Sequence, residues 1–122
     1  MNLEIRSIVD PGQFEKERVT FRAKANLDIG DFLFAQAGYA NGSPTMDFSY
    51  TYWFPYKAIN KGDLVVLYTK AGEAREKPLT TGKTAHFFYW DIKKSIWRDL
   101  ELGAVLLNAP NWVSKQASEL SE

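Results

Sequence analysis

The sequence predicts an all-β protein, an immunoglobulin-like β-sandwich of about seven to nine short strands. Three observations lead there. Apolar and polar residues alternate with a period of two along most of the chain. Clusters of Gly, Pro, Asn and Asp interrupt the alternation at the roughly 8–15-residue intervals of a sandwich. No stretch keeps a helical period long enough to build an amphipathic helix.

Leu3, Ile5 and Ser7 point one way and Glu4 and Arg6 the other, which predicts a first strand ended by Asp10-Pro11-Gly12. Val19, Phe21, Ala23 and Ala25 alternate with Thr20, Arg22, Lys24 and Asn26, a strand with one dry face and one charged face. Asp28-Ile29-Gly30-Asp31 breaks the pattern, and Phe32 to Ala35 reads as a further short strand. Residues 38–45 read as a long loop with Asn41-Gly42-Ser43-Pro44 at its tip.

Phe48, Tyr50, Tyr52 and Phe54 then alternate with Ser49, Thr51 and Trp53, so the first set is expected in the core and Trp53 on the outer face. Asn60-Lys61-Gly62-Asp63 is a turn before a strand from Leu64 to Thr69. The polar residues 71–84 read as the longest loop, and loops of that length are often functional. His86 to Trp90 is extended again. The segment Asp91–Asp99 has Ile92, Ile96 and Trp97 at near-helical spacing, and Ala104 to Leu107 forms the last strand. The division expected is a sandwich over 1–112 and a polar tail over 113–122.

A chain of 122 residues is one domain by default. It can bury roughly two-thirds of its unfolded surface, so its core needs neither disulfide nor metal. It has no cysteine, which excludes disulfide frameworks and thiol catalysis. Its 15 basic and 15 acidic residues balance, which argues against a simple nonspecific polyanion binder. The balance is local, however: residues 62–98 hold seven basic and four acidic side chains, and residues 99–122 hold one basic and four acidic. Neither a secretory leader nor a membrane span is expected, and a cytoplasmic setting follows as the default.

The order of the segments resembles the lamin tail domain, an immunoglobulin-like sandwich family. The resemblance is carried by Arg18–Ala25 with Leu27–Asp31, by Tyr52-Trp53-Phe54-Pro55, by Ile59–Tyr68, and by Trp90–Trp97 followed by Leu102–Ala109. It spans roughly residues 3–109, with Phe32 where the family usually has Trp. The resemblance implies a non-catalytic module of the kind associated with protein, nucleic-acid or envelope partners.

Candidate chemistry is sparse. His86 has no Ser or Cys nucleophile motif and no second histidine beside it, so it is expected to be a strand residue with a ring nitrogen bonded to backbone. A small hydrolase would have to bring Asp91, Asp99 and His86 together, whereas turn capping explains Asp28, Asp31, Asp91 and Asp99 more simply. No metal or cofactor is expected. The segment Trp90–Arg98 interleaves two tryptophans with Lys93, Lys94 and Arg98. It reads either as a partner or nucleotide surface, where rings stack and cations meet phosphate, or as core tryptophans beside solvated lysines. The expected function is therefore a non-enzymatic binding or assembly module acting through Trp53, Trp90, Lys93, Lys94, Trp97 and Arg98. A partner protein or self-association is the first expectation, and a nucleotide, nucleic acid or carbohydrate is the second.

Overall fold

A computed structural model describes all residues, 1–122. It contains ten strands: β1 (Leu3–Val9), β2 (Arg18–Ala23), β3 (Leu27–Asp28), β4 (Phe32–Ala40), β5 (Ser43–Trp53), β6 (Ala58–Ile59), β7 (Leu64–Tyr68), β8 (Arg75–Pro78), β9 (Thr84–Tyr89) and β10 (Gly103–Asn108). They form a five-stranded sheet in the order β1-β2-β7-β9-β8, a three-stranded sheet β10-β4-β5, and the short pair β3-β6. All pairings are antiparallel except β7 with β9. No helix is long and apolar enough to cross a membrane.

The two larger sheets pack as an all-β sandwich because each presents one apolar face. Val19, Phe21 and Ala23 of β2, Val65 and Leu67 of β7 and Phe88 of β9 meet Phe32 and Phe34 of β4 and the nearby Phe54. The rings interlock edge to face: Phe21 lies 5.2 Å from Phe34 and 5.7 Å from Phe54, and Phe54 lies 5.3 Å from Phe88. Such geometry adds about 0.5–1.5 kcal/mol per pair to simple burial.

Two bulges correct the alternation read from sequence. In β1 the register shifts between Ile5, opposite Phe21, and Ser7, opposite Thr20. Arg6 is the extra residue, so Ser7 is turned outward to meet the Thr20 hydroxyl, and Ile8 packs against the core instead. In β5 Tyr50 faces Gln36 but Phe48 faces Ala37, with Ser49 extra. Tyr50 and Tyr52 therefore line the core as expected, while Phe48 is turned out and is 44% exposed.

Two expected loops are strand. Residues 38–45 are the tip of the β4–β5 hairpin, whose turn is Asn41-Gly42 with φ of 54° and 78°. Positive φ at both central residues is the turn that matches strand twist, and Asn-Gly is the pair that tolerates it best. Within residues 71–84, Arg75–Pro78 pairs with β9 as the edge strand β8. Residues 91–99 form no helix. The tail holds one four-residue helical turn, Ala117–Leu120, exposed throughout.

Candidate functional site

The segment expected to carry binding, Trp90 to Arg98, is dismantled by the fold. Trp97 is buried, 1% exposed, with its ring 6.1 Å from Phe34. Trp90 is half-buried between the sheets: its ring meets Phe34, Tyr50 and Tyr52, and its indole N–H donates to the Thr51 carbonyl. Lys93 folds onto Asp91 at 2.7 Å, and the Arg98 guanidinium donates to the Gly12 carbonyl. Lys94 is exposed. The two tryptophans are thus part of the packing, and the cations are not assembled with them into one surface.

What holds this segment is Glu17, a residue that periodicity alone does not mark. Its side chain is fully buried and makes no ion pair. Its carboxylate accepts from the Gly12 N–H, the Ser95 hydroxyl and the Trp97 N–H on one oxygen, and from the Thr69 hydroxyl and the Ile96 N–H on the other. Burial by itself would raise its pKa. The hydrogen bonds from Ser95, Thr69, Gly12 and Ile96 outweigh burial and hold the carboxyl below its ordinary range.

His86 is buried, and its partner is a carboxylate rather than backbone: Nε2 lies 2.9 Å from Asp63 Oδ2. Asp63 also accepts from the Asn60 and Thr84 N–H groups. Burial opposes its charge, and the His86 and backbone hydrogen bonds overcome this and lower its pKa. Nδ1 has no hydrogen-bond partner and sits 3.9 Å from Glu76, which is itself held by Lys57 at 2.7 Å. Asp91 and Asp99 do not join this group. Asp91 lies beyond the end of β9 and binds Lys93, and Asp99 caps a turn by accepting from the Glu101 N–H. Asp28 is likewise a cap, accepting from Gly30 and Lys57.

The surface that does assemble is the outer face of the five-stranded sheet. Cross-strand register places Ser7, Thr20, Val66, Phe87 and Arg75 in one row. A second row holds Val9, Arg18, Tyr68 and Tyr89, and a third holds Glu4, Arg22, Leu64, Ala85 and Lys77. Tyr68 and Tyr89 stack at 5.3 Å, and Phe87 continues the stack. Arg75 lies over Phe87 at 4.3 Å, and Arg18 and Lys70 lie over Tyr68. A ring face is electron-rich, so these contacts hold the cations in place on an aromatic bed. The acids near this face are spoken for: Glu4 pairs with Lys24, Asp10 with Arg18 and Glu15 with Lys70. Arg6, Arg22, Arg75, Lys77 and Lys83 have no ion-pair partner within 4.0 Å, and neither does Glu73 in the loop before β8. The charged face of β2 is legible in the sequence, whereas β8 reads there as loop, and the convergence of their cations depends on strand order.

A second surface lies where β5 ends. Trp53 is on the outer face, as alternation requires, and packs edge-on against Trp112 at 4.9 Å and beside Tyr56 at 6.5 Å. Trp53 donates to the Gly30 carbonyl and Trp112 to the Tyr56 hydroxyl. All three rings stay about half exposed. No family model and no curated protein matches the chain.

Proposed function

We propose that the protein is a non-enzymatic binding module, a sandwich of the lamin-tail kind, whose ligand is a single-stranded nucleic acid laid across the outer face of the five-stranded sheet. The observation that carries this reading is the set of five cations without ion-pair partners, Arg6, Arg22, Arg75, Lys77 and Lys83, along the face that also holds the Tyr68, Phe87 and Tyr89 rings, with Arg75 over Phe87. Arg75, which lies over Phe87 and has no ion-pair partner, is free to meet phosphate, and half-buried rings beside a basic track suit a strand without a fixed sequence. The zero net charge is compatible with this, because the acids near this face, Glu4, Asp10 and Glu15, pair with other cations and leave these five unpaired. A cytoplasmic setting, where such strands are accessible, belongs to the same proposal.

Fluorescence anisotropy with a labelled oligothymidylate tests it. Binding is expected at low salt, with log K falling against log salt by about 0.7 for each phosphate engaged. Arg75→Gln is expected to weaken binding uniformly across sequences and to lower the salt slope by about one contact. Absence of binding at 50 mM salt would remove this reading.

A second reading rests on a separate observation, the half-exposed Trp53, Tyr56 and Trp112 cluster. Clustered Trp and Tyr anchors of this kind are typical of protein interfaces, so a partner protein or a second copy of the chain is proposed there. Trp53→Ala is expected to abolish concentration-dependent self-association in sedimentation velocity while lowering stability by about 2–3 kcal/mol, the buried half of the ring and its hydrogen bond to the Gly30 carbonyl being lost. A monomer at every concentration would leave only a foreign partner for this surface.

A further inference from the structure

The five unpaired cations are not spread evenly. Three of them, Arg6, Arg22 and Lys83, converge on the one cleft of the molecule, a cavity of about 270 Å³ whose other lining residues are Gly62, Leu64, Leu79 and Thr81. No carboxylate lines it. Each cation arrives by a separate structural device. Arg22 faces outward beside Leu64 across the β2–β7 ladder. Arg6 is the extra residue of the β1 bulge, and the bulge delivers it to this face. Lys83 comes from the β8–β9 turn, which closes through the Leu79 N–H to the Lys83 carbonyl and the Gly82 N–H to the Leu79 carbonyl.

Gly62 shapes the cleft. A Cβ there would stand 2.9 Å from Lys83 Cε, and its φ is +90°. Glycine alone accepts that backbone without strain, and a Cβ there would push the flexible Lys83 stem aside. The Thr81 hydroxyl oxygen accepts from the Lys83 N–H, so its own proton is free to donate into the cleft. The floor, Leu64 and Leu79, offers no competing polar group.

The nearest cross-strand acid, Glu4 opposite Arg22, is paired with Lys24, so an anion entering the cleft meets three cations and no lining carboxylate. A carboxylate would neutralise only one of the three. A phosphate monoester is close to a dianion at neutral pH and offers three terminal oxygens, which match guanidinium forks, an ammonium and a hydroxyl together. We infer that the Arg6, Arg22 and Lys83 cleft is a binding site for a phosphate monoester. The group comes either from the phosphorylated end of a bound strand or from a small phosphorylated molecule, and the inference holds whether or not the sheet face binds a strand.

The test uses the full chain, labelled with ¹⁵N. Sodium phosphate is expected to shift the Gly62, Thr81 and Lys83 amides saturably, while sodium chloride at equal ionic strength does not. Arg22→Gln with Lys83→Gln is expected to weaken the response at least tenfold. All three cations are exposed, so the fold should persist, and Lys115→Gln, in the exposed tail outside the cleft, should respond like the parent chain. If phosphate moves none of these amides, or if the response survives in the double variant, the site is overturned. Where phosphate binds, a 5′-phosphorylated oligothymidylate several-fold tighter than its 5′-hydroxyl twin assigns the group to a strand end. Equal affinity of the two oligonucleotides, or binding of neither, assigns it to a small molecule and keeps the site. Binding of neither would count against the strand reading alone.

Discussion

Replacing Glu17 by Gln is expected to lower stability by roughly 3–6 kcal/mol, because a buried acceptor facing only donors cannot be exchanged for a group that is half donor. The five donors come from Gly12, Thr69, Ser95, Ile96 and Trp97, so one carboxylate ties the β1–β2 connection to the end of β7 and to the whole irregular segment before β10. An amide would press an N–H₂ against backbone N–H groups and leave at least one of them buried and unpaired, since a hydroxyl can turn to accept but an N–H cannot. A loss of that size corresponds to a fall in melting temperature on the order of 10–30 °C. Urea denaturation followed by near-ultraviolet circular dichroism checks it. A loss below about 1 kcal/mol would show that the segment is held by something else.

The same carboxylate sets an acid limit. Its pKa in the folded chain is below the ordinary value of 4.5, so the folded state binds this proton less readily than the unfolded state does. The stabilisation is fully present above pH 4.5 and is lost as pH falls from there through the folded pKa. Asp63, lowered from 3.8 in the same sense, contributes to the same limb. Stability of the parent chain should therefore fall steeply below pH 4.5, and the Gln variant, already weakened, should show a shallower acid limb.

Trp97→Ala is the second large effect, a loss of about 3–5 kcal/mol for removing a wholly buried indole from a close-packed core. Trp97→Phe should cost much less, roughly 1–2 kcal/mol, for a reason specific to this site. The indole N–H is buried without an acceptor, so deleting it forfeits no hydrogen bond, and the remaining ring still packs beside Phe34. Any ligand affinity measured for the folded Phe variant should match that of the parent chain. A changed affinity would mean that the indole reaches the surface.

This contrast shows why the Trp90–Arg98 stretch reads two ways in sequence. Its residues are irregular in the fold, so neither a period of two nor one of 3.6 assigns faces to them. Burial of Trp97 follows instead from Glu17, 80 positions earlier, accepting from its backbone N–H. Phe48 and Ser7 are misassigned by alternation for a related reason. A bulge adds one residue and inverts every side chain beyond it, and nothing in the local composition of either strand announces it. The Asn41-Gly42 turn was the opposite case. The hairpin signal is local and explicit, and it is obscured only by treating the surrounding Gly and Tyr residues as loop.

Local chemistry is sufficient for the parts of the molecule that depend on neighbours in the chain. The alternation of Val19, Phe21 and Ala23, the Asn60–Asp63 turn, the outward Trp53 and the all-β class all follow from side chains no more than a few residues apart. The candidate site does not. Arg6, Arg22 and Lys83 lie on different strands and a turn, separated by as many as 77 positions (83 minus 6). Their meeting depends on the strand order β1-β2-β7-β9-β8, on one bulge and on one glycine with positive φ. Like charges repel, so no local preference would gather them. The hydrophobic core fixes the strand order, and the cations are carried together on the face that the core leaves to water.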